Sequence, residues 1–168
     1  YGWLFWNGYE NKVKDLYDVS VDKQGRSGNS AKITKKSGEG YSVLQQMTPI
    51  AVKANQTYEF SYWIKTKDAA NMKQYAIVRQ FQEDGKETKQ NTYLSPRTVN
   101  GNLEWTQVVF RFTTEKDASL VNFWLTFTTD DGKSTVWYDD VALKETDPSS
   151  DKDILGFEVE VGGLPHGW

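Results

Sequence analysis

Acidic pairs recur along the chain, as Glu83-Asp84, Asp130-Asp131 and Asp139-Asp140. Two carboxylates can cleave a glycosidic bond when they face one another across a cleft, at about 5–5.5 or 6.5–9.5 Å. None of these pairs is placed for that. Asp139 and Asp140 are neighbours in an alternating segment, so they point to opposite faces. The other two pairs precede glycines and are turn formers. Glu59, near Trp63, and Glu104, before Trp105, have no evident partner. The single histidine, His166, lies in the tail, which argues against a His-based metal site and a Ser-His-Asp triad. With no cysteine, disulfides, thiol nucleophiles and Cys-based zinc sites are excluded. The expectation is a protein that is not an enzyme.

The remaining chemistry is that of aromatic rings. Seven Trp, nine Tyr and eight Phe make up 14% of a chain whose formal net charge is −3, and the mean hydropathy is −0.69. Nothing in this balance gives the basic footprint that nucleic acid or an anionic membrane would attract. Rings this abundant in a hydrophilic chain either fill an aromatic core or are displayed on the surface, and the strands that carry them decide which.

Period-2 alternation runs through most of the chain and helical periodicity is nearly absent. Strands are expected at Asp18–Asp22, Ser30–Lys35, Tyr41–Val52, Thr57–Thr66, Gln74–Gln82, Thr106–Thr113, Leu120–Thr128 and Thr135–Lys144. Turn signals at Gln24-Gly25, Ser37-Gly38, Glu83-Asp84-Gly85, Asn100-Gly101 and Asp130-Asp131-Gly132 separate them. Lys67–Met72 and Lys86–Val99 are expected as longer loops. Many short strands without crossover helices predict an all-β fold, a two-sheet antiparallel β-sandwich of the jelly-roll kind in a single domain. Residues 1–145 form that domain, 146–155 have the composition of a linker, and 156–168 open with a short alternating strand, Phe157-Glu158-Val159-Glu160-Val161.

Alternation also sorts the faces. Val121, Phe123, Leu125 and Phe127 share the core side of one strand, which sends Asn122, Trp124 and Thr126 outward. Tyr58, Phe60, Tyr62 and Ile64 do the same in another and leave Trp63 outside with Glu59 and Lys65. Val108, Phe110 and Phe112 face inward. If Ala76 and Val78 do too, Tyr75, Ile77, Arg79 and Phe81 share the outer face, a register favoured because burying Arg79 without a partner is costly. A large ring left in water forgoes about 1.5–3 kcal/mol of burial, so its repetition needs a reason. Rings beside guanidinium and amide donors suit a sugar, whose C–H face stacks while its hydroxyls take hydrogen bonds. The alternative is that loops, or the N-terminal WLFW segment, cover these tryptophans.

The segments SGNSAKI (Ser27–Ile33), TYEFSYWIKT (Thr57–Thr66), LEWTQVVFRFTT (Leu103–Thr114) and VWYDDVALKE (Val136–Glu145) stand in an order that resembles bacterial carbohydrate-binding modules of the β-sandwich families 4, 9, 16 and 22. The resemblance covers Tyr1 to Glu145 and implies a non-catalytic module, secreted or at the bacterial cell surface, tethered to a carbohydrate-active enzyme or to neighbouring modules. Its partner would be a polysaccharide or oligosaccharide, most often a β-linked glycan, with neither nucleic acid nor membrane. The sugar would stack between Trp6 and Trp124. Arg79, Gln80 and Gln90 would grip hydroxyls, although Gln80 alternates toward the core; Trp63 and Tyr75 join the candidate carbohydrate-binding residues by their outward alternation rather than by the resemblance. The resemblance further implies one structural calcium, at Asp139, Asp140 and Glu158, unless Asp139 simply holds backbone at the sheet edge. A structural or adhesive spacer without a sugar ligand is the alternative reading.

The tail Gly156-Phe157-Glu158, followed by Pro165-His166-Gly167-Trp168, is similar to the opening strand of such modules and reads as a displaced first strand or as the start of a following module. Three fates are open to it. It overhangs freely, it pairs beside Val136–Lys144 in permuted order, or it swaps into a second copy to give a homo-oligomer; pairing is favoured, because a missing strand leaves an open edge.

Overall fold

A computed structural model describes residues 2–7, 16–37, 41–88, 92–129 and 133–146. Nine strands are present among them: β1 (Trp3–Asn7), β2 (Tyr17–Asp22), β3 (Ser30–Lys35), β4 (Ser42–Gln46), β5 (Ile50–Ala51), β6 (Thr57–Phe81), β7 (Thr92–Thr113), β8 (Leu120–Thr128) and β9 (Thr135–Glu145). All pairings between them are antiparallel, in the order β1-β4-β8-β6-β9-β3-β2, with β5 on β8 and β7 on β6. The expected β-sandwich is present, with its two sheets made continuous by β6 and β7.

β6 explains that continuity. Its first half, Tyr58–Lys67, pairs with β9, and its second half, Lys73–Phe81, pairs with β8. β7 follows it on the other side along nearly its whole length. The chain turns from one sheet into the other through a run of register shifts between Ile64 and Met72. Bulges of this kind sharpen bend and twist without ending a strand. Asp68 and Asn71 take left-handed backbone there, with φ of 52° and 50°, which short amide and carboxylate side chains tolerate best. The Asp68 and Asn71 amides donate to the side chains of Asn102 and Asn100 at 2.9 and 2.8 Å.

Three expectations change accordingly. Lys67–Met72 is not a loop but the bend of β6, and residues 92–99 of the expected second loop belong to β7. Asn100-Gly101 is a bulge opposite Ala69 rather than a turn, with Gly101 at a φ of 75°. Tyr41–Val52 is broken into β4 and β5. WLFW, for which no strand was expected, forms β1 along the edge of β4. The turn at Glu83-Asp84-Gly85 is present, closed by the Gly85 amide on the Gln82 carbonyl at 2.9 Å.

The inner faces are as alternation sorts them. Phe60, Val121, Phe127, Ala76 and Val78 are fully buried. The sheets meet on an aromatic stack: Phe60 of β6 lies over Phe123 of β8 with centroids 3.9 Å apart and planes 8° from parallel. Phe110 and Phe112 of β7 pack around them. The interior is not wholly apolar, since Gln74 donates to the Tyr62 hydroxyl at 2.6 Å, and burial pushes that phenol's pKa up. Between β1 and β5 on one sheet and β2 on the other, the sandwich gapes.

Deleting either stacked ring removes the contact that joins the sheets. Phe60→Ala and Phe123→Ala are each expected to cost about 3–5 kcal/mol in denaturant unfolding. The double variant should lose less than the sum of the two, as coupled neighbours do.

Candidate functional site

Register across the sheet that contains β8 builds one outer face from four strands. Trp6, Val43, Thr126 and Tyr75 stand side by side in one row, Gln45, Trp124 and Ile77 in the next, and Asn122 and Arg79 in a third. Alternation puts Trp124 here because Phe123 and Leu125 are taken by the core. Trp6 arrives because β1 pairs with β4.

The rings touch one another. Trp6 and Trp124 meet edge to face, with centroids 5.1 Å apart and planes at 89°, and Tyr41 approaches Trp6 at 6.1 Å. Trp6 Nε1 donates to Gln45 Oε1 at 3.0 Å, which fixes its ring. The guanidinium of Arg79 lies 4.5 Å from the centre of the Trp124 ring. It is held there by a two-pronged pair with Glu87, both contacts 2.7 Å, the geometry in which Arg–carboxylate pairs are strongest. A perpendicular ring pair in contact makes a corner rather than a slot, so a pyranose does not fit between Trp6 and Trp124 as they stand.

Among the described residues, two buried polar atoms on this face have no partner. Trp124 Nε1, a donor, and Asn122 Oδ1, an acceptor, are both buried and make no hydrogen bond. A buried polar group left unmatched costs about 1–3 kcal/mol, and both atoms are closed off from solvent in this arrangement. Asn122 was legible as a neighbour of Trp124 on the outer face. Gln45 and Glu87 carry no signal of their own in the sequence.

The remaining expected residues lie elsewhere. Tyr75 shares the face with Trp6. Gln80 points inward and is 1% exposed; its Oε1 accepts from the Glu115 amide at 2.8 Å, so its amide is spent on the core. Gln90 lies outside the described residues. Trp63 is on the outer face of the other sheet, where the Arg26 guanidinium covers its ring at 3.6 Å.

Arg26 belongs to a second cluster. Asp139 Oδ2 accepts from the amides of Arg26 and Ser27 at 2.7 and 3.2 Å, and Asp139 Oδ1 accepts from the Asp140 amide. Asp140 accepts from the Arg26 guanidinium at 2.5 Å and from the Ser27 hydroxyl. Gly25 is needed beneath them, because a Cβ there would come within 2.7 Å of Asp139 Oδ2. Calcium takes six to eight oxygen ligands. Among the described residues no three His, Cys, Asp or Glu side chains gather, and the two carboxylates are already occupied by protein donors, one of them a cation. The described residues therefore do not fit a calcium ion. Glu158 lies outside them.

The Ser27 hydroxyl, then Arg26, holds the Asp140 carboxyl below its ordinary value of 3.8. The Gln24 amide and Trp137 Nε1 lower Asp22 in the same way.

The chain matches a protein family, described as Carbohydrate binding domain (CBM_4_9), over residues 1–135. It belongs to that family. No curated protein matches the chain by sequence. Among solved structures, it is similar to the CBM22-1 xylan-binding domain from Paenibacillus barcinonensis Xyn10C, with a TM-score of 0.56, 16% identity, and coverage of 86% of this chain and 85% of that one. A Family 16 Carbohydrate Binding Module-2 gives a TM-score of 0.52 at 22% identity, over 76% of this chain and 85% of that one. The enzymatically active domain of bacteriophage CBA120 tailspike protein 4 gives 0.65 at 10% identity; 86% of this chain is covered, but it spans only 19% of that protein. These likenesses establish the fold that the carbohydrate binding domain shares with them. The face carrying Trp6 and Trp124 is thus a candidate for the carbohydrate site.

Two outcomes follow for the Arg26 cluster. Arg26→Ala is expected to lower Tm by about 3–6 °C, while calcium or a chelator leaves Tm unmoved in differential scanning calorimetry. Because Asp140 and Asp22 have folded pKa values below 3.8, the unfolded chain takes up protons first as pH falls. Their stabilisation is whole above that value and is lost as pH falls through the folded values, so an acid titration of Tm should fall away below about pH 4. Asp140→Asn should blunt that fall.

Proposed function

We propose that this carbohydrate binding domain is a non-catalytic polysaccharide-binding module, one that holds a secreted carbohydrate-active enzyme against β-linked glycans of plant or microbial origin. One observation carries the reading. The perpendicular corner of Trp6 and Trp124 adjoins a locked guanidinium and two polar atoms, Trp124 Nε1 and Asn122 Oδ1, that lack partners. The rings supply a stacking surface and the partly exposed Arg79–Glu87 pair beside them supplies polar groups for hydroxyls, which is how sugar sites combine apolar area with few polar groups. The β-linked class is supported by the xylan-binding domain with which the chain shares its fold.

On the other sheet Trp63 and Trp137 are both matched, the one by Arg26 and the other by Asp22 at 2.9 Å. The two faces therefore give internal controls. Calorimetry against xylan, mannan, cellulose and mixed β-glucan oligosaccharides is expected to find at least one ligand. Trp124→Ala should weaken it at least ~10-fold, ~1.4 kcal/mol, Asn122→Ala by a smaller factor, and Trp63→Phe not at all. If no glycan binds, the module is instead a structural spacer; if Trp124→Ala binds as wild type does, the glycan is held elsewhere than on the Trp6–Trp124 face.

A further inference from the structure

The gap in the sandwich is a cleft of about 1180 Å³, far larger than the voids of a close-packed interior. Its floor is the core itself, Phe60 and Phe123. Its walls are the inner faces of three strands: Trp3 and Phe5 of β1, Val19 and Val21 of β2, and Val141 and Leu143 of β9. Val19 and Val21 pair with Ile33 and Ala31, so they point inward, yet they are 43% and 67% exposed. Core-facing valines in water mean that a covering element belongs there.

The backbone beside the cleft is also incomplete. β3 pairs with β9 only over Thr135–Tyr138. From Val141 to Glu145, β9 has β6 on one side and no strand on the other among the described residues. The place expected for the tail, beside Val136–Lys144, is therefore taken at its beginning and open at its end.

We propose that the chain's own segment Phe157–Val161 fills this cleft, added antiparallel to Val141–Glu145. The segment matches in three respects. It is five residues long, as the open edge is. It alternates, so that Phe157, Val159 and Val161 enter the cleft while Glu158 and Glu160 face water. It follows β9 directly, through a linker from Thr146 to Gly156 that can reach ~35 Å when extended, against about 17 Å for the open edge. A connection this short gives an effective concentration in the millimolar range, which favours the chain's own tail over that of a second copy. The proposal is independent of the glycan site, which lies on the outer face of the sheet.

Hydrogen exchange on the full chain tests it. Amides of Val141–Glu145 and Phe157–Val161 should be protected together, in a protein that light scattering finds monomeric at every concentration. Phe157→Ala with Val159→Ala should abolish that protection, lower Tm by about 5–15 °C and open the cleft to a hydrophobic dye. Glu158→Lys with Glu160→Lys should leave protection and Tm near wild type. Tail amides that exchange at the rate of unstructured chain in the wild-type protein overturn the proposal, whether or not the alanine variant folds. Protection that appears only in a dimer also overturns it and assigns the cleft to a second copy.

Discussion

One strand sets the geometry on which both faces depend. β6 serves the first sheet with its N-terminal half and the second with its C-terminal half, and it carries β7 with it through the bend. Inward, this brings Phe60 from one sheet onto Phe123 of the other at stacking distance. Outward, it lays Tyr75 and Arg79 beside Thr126 and Asn122 of β8, next to the ring of Trp124. A break at Lys67–Met72 would release both relationships, because sheet-to-sheet packing and the site's third row of side chains share that one backbone. The bulges and the Asn100 and Asn102 clamps on the bend are therefore part of the site's support.

The two outer faces use the same residue types to different ends. On the sheet of β3 and β9 every ring named above has a protein partner: Trp63 lies under Arg26, and Trp137 donates to Asp22 with Lys32 and Lys65 over its face. On the sheet of β4 and β8, the Trp6 indole nitrogen is satisfied by Gln45, whereas that of Trp124 is not. A matched ring is a finished piece of surface. The indole nitrogen of Trp124, near the unmatched Asn122 amide oxygen, instead carries an uncompensated burial cost. Composition could not have drawn that contrast, since both faces offer Trp, Arg and acid.

The expectation that rings would be either core or surface resolves into both. Phe60, Phe110, Phe112 and Phe123 make the core, and Trp6, Trp63 and Trp124 lie outside it. The alternative that the WLFW segment covers Trp124 is also partly realised: β1 brings Trp6 against it, so one element both shields the ring and completes the corner. Asp139 likewise does what the simpler reading allowed and holds backbone, that of Arg26 and Ser27.

Side-chain alternation is a local property of an extended chain, and so the inward and outward sets of Thr57–Thr66, Thr106–Thr113 and Leu120–Thr128 were legible in the amino-acid order alone, as were the β-sandwich and the outward position of Trp124 and Arg79. Polar runs were not. Lys67–Met72 reads as a loop because a bend stapled by side-chain amides needs the same residues that a loop does, and Asn100-Gly101 reads as a turn because a bulge needs the same positive φ. Pairing across long sequence separations was decided only by the tertiary structure: that Trp6 meets Trp124, that Glu87 locks Arg79, that Arg26 takes the carboxylates of Asp139 and Asp140, and that Gln80 is spent inside. Each of these joins residues whose proximity depends on which strand edges meet, and no spacing along the chain encodes that.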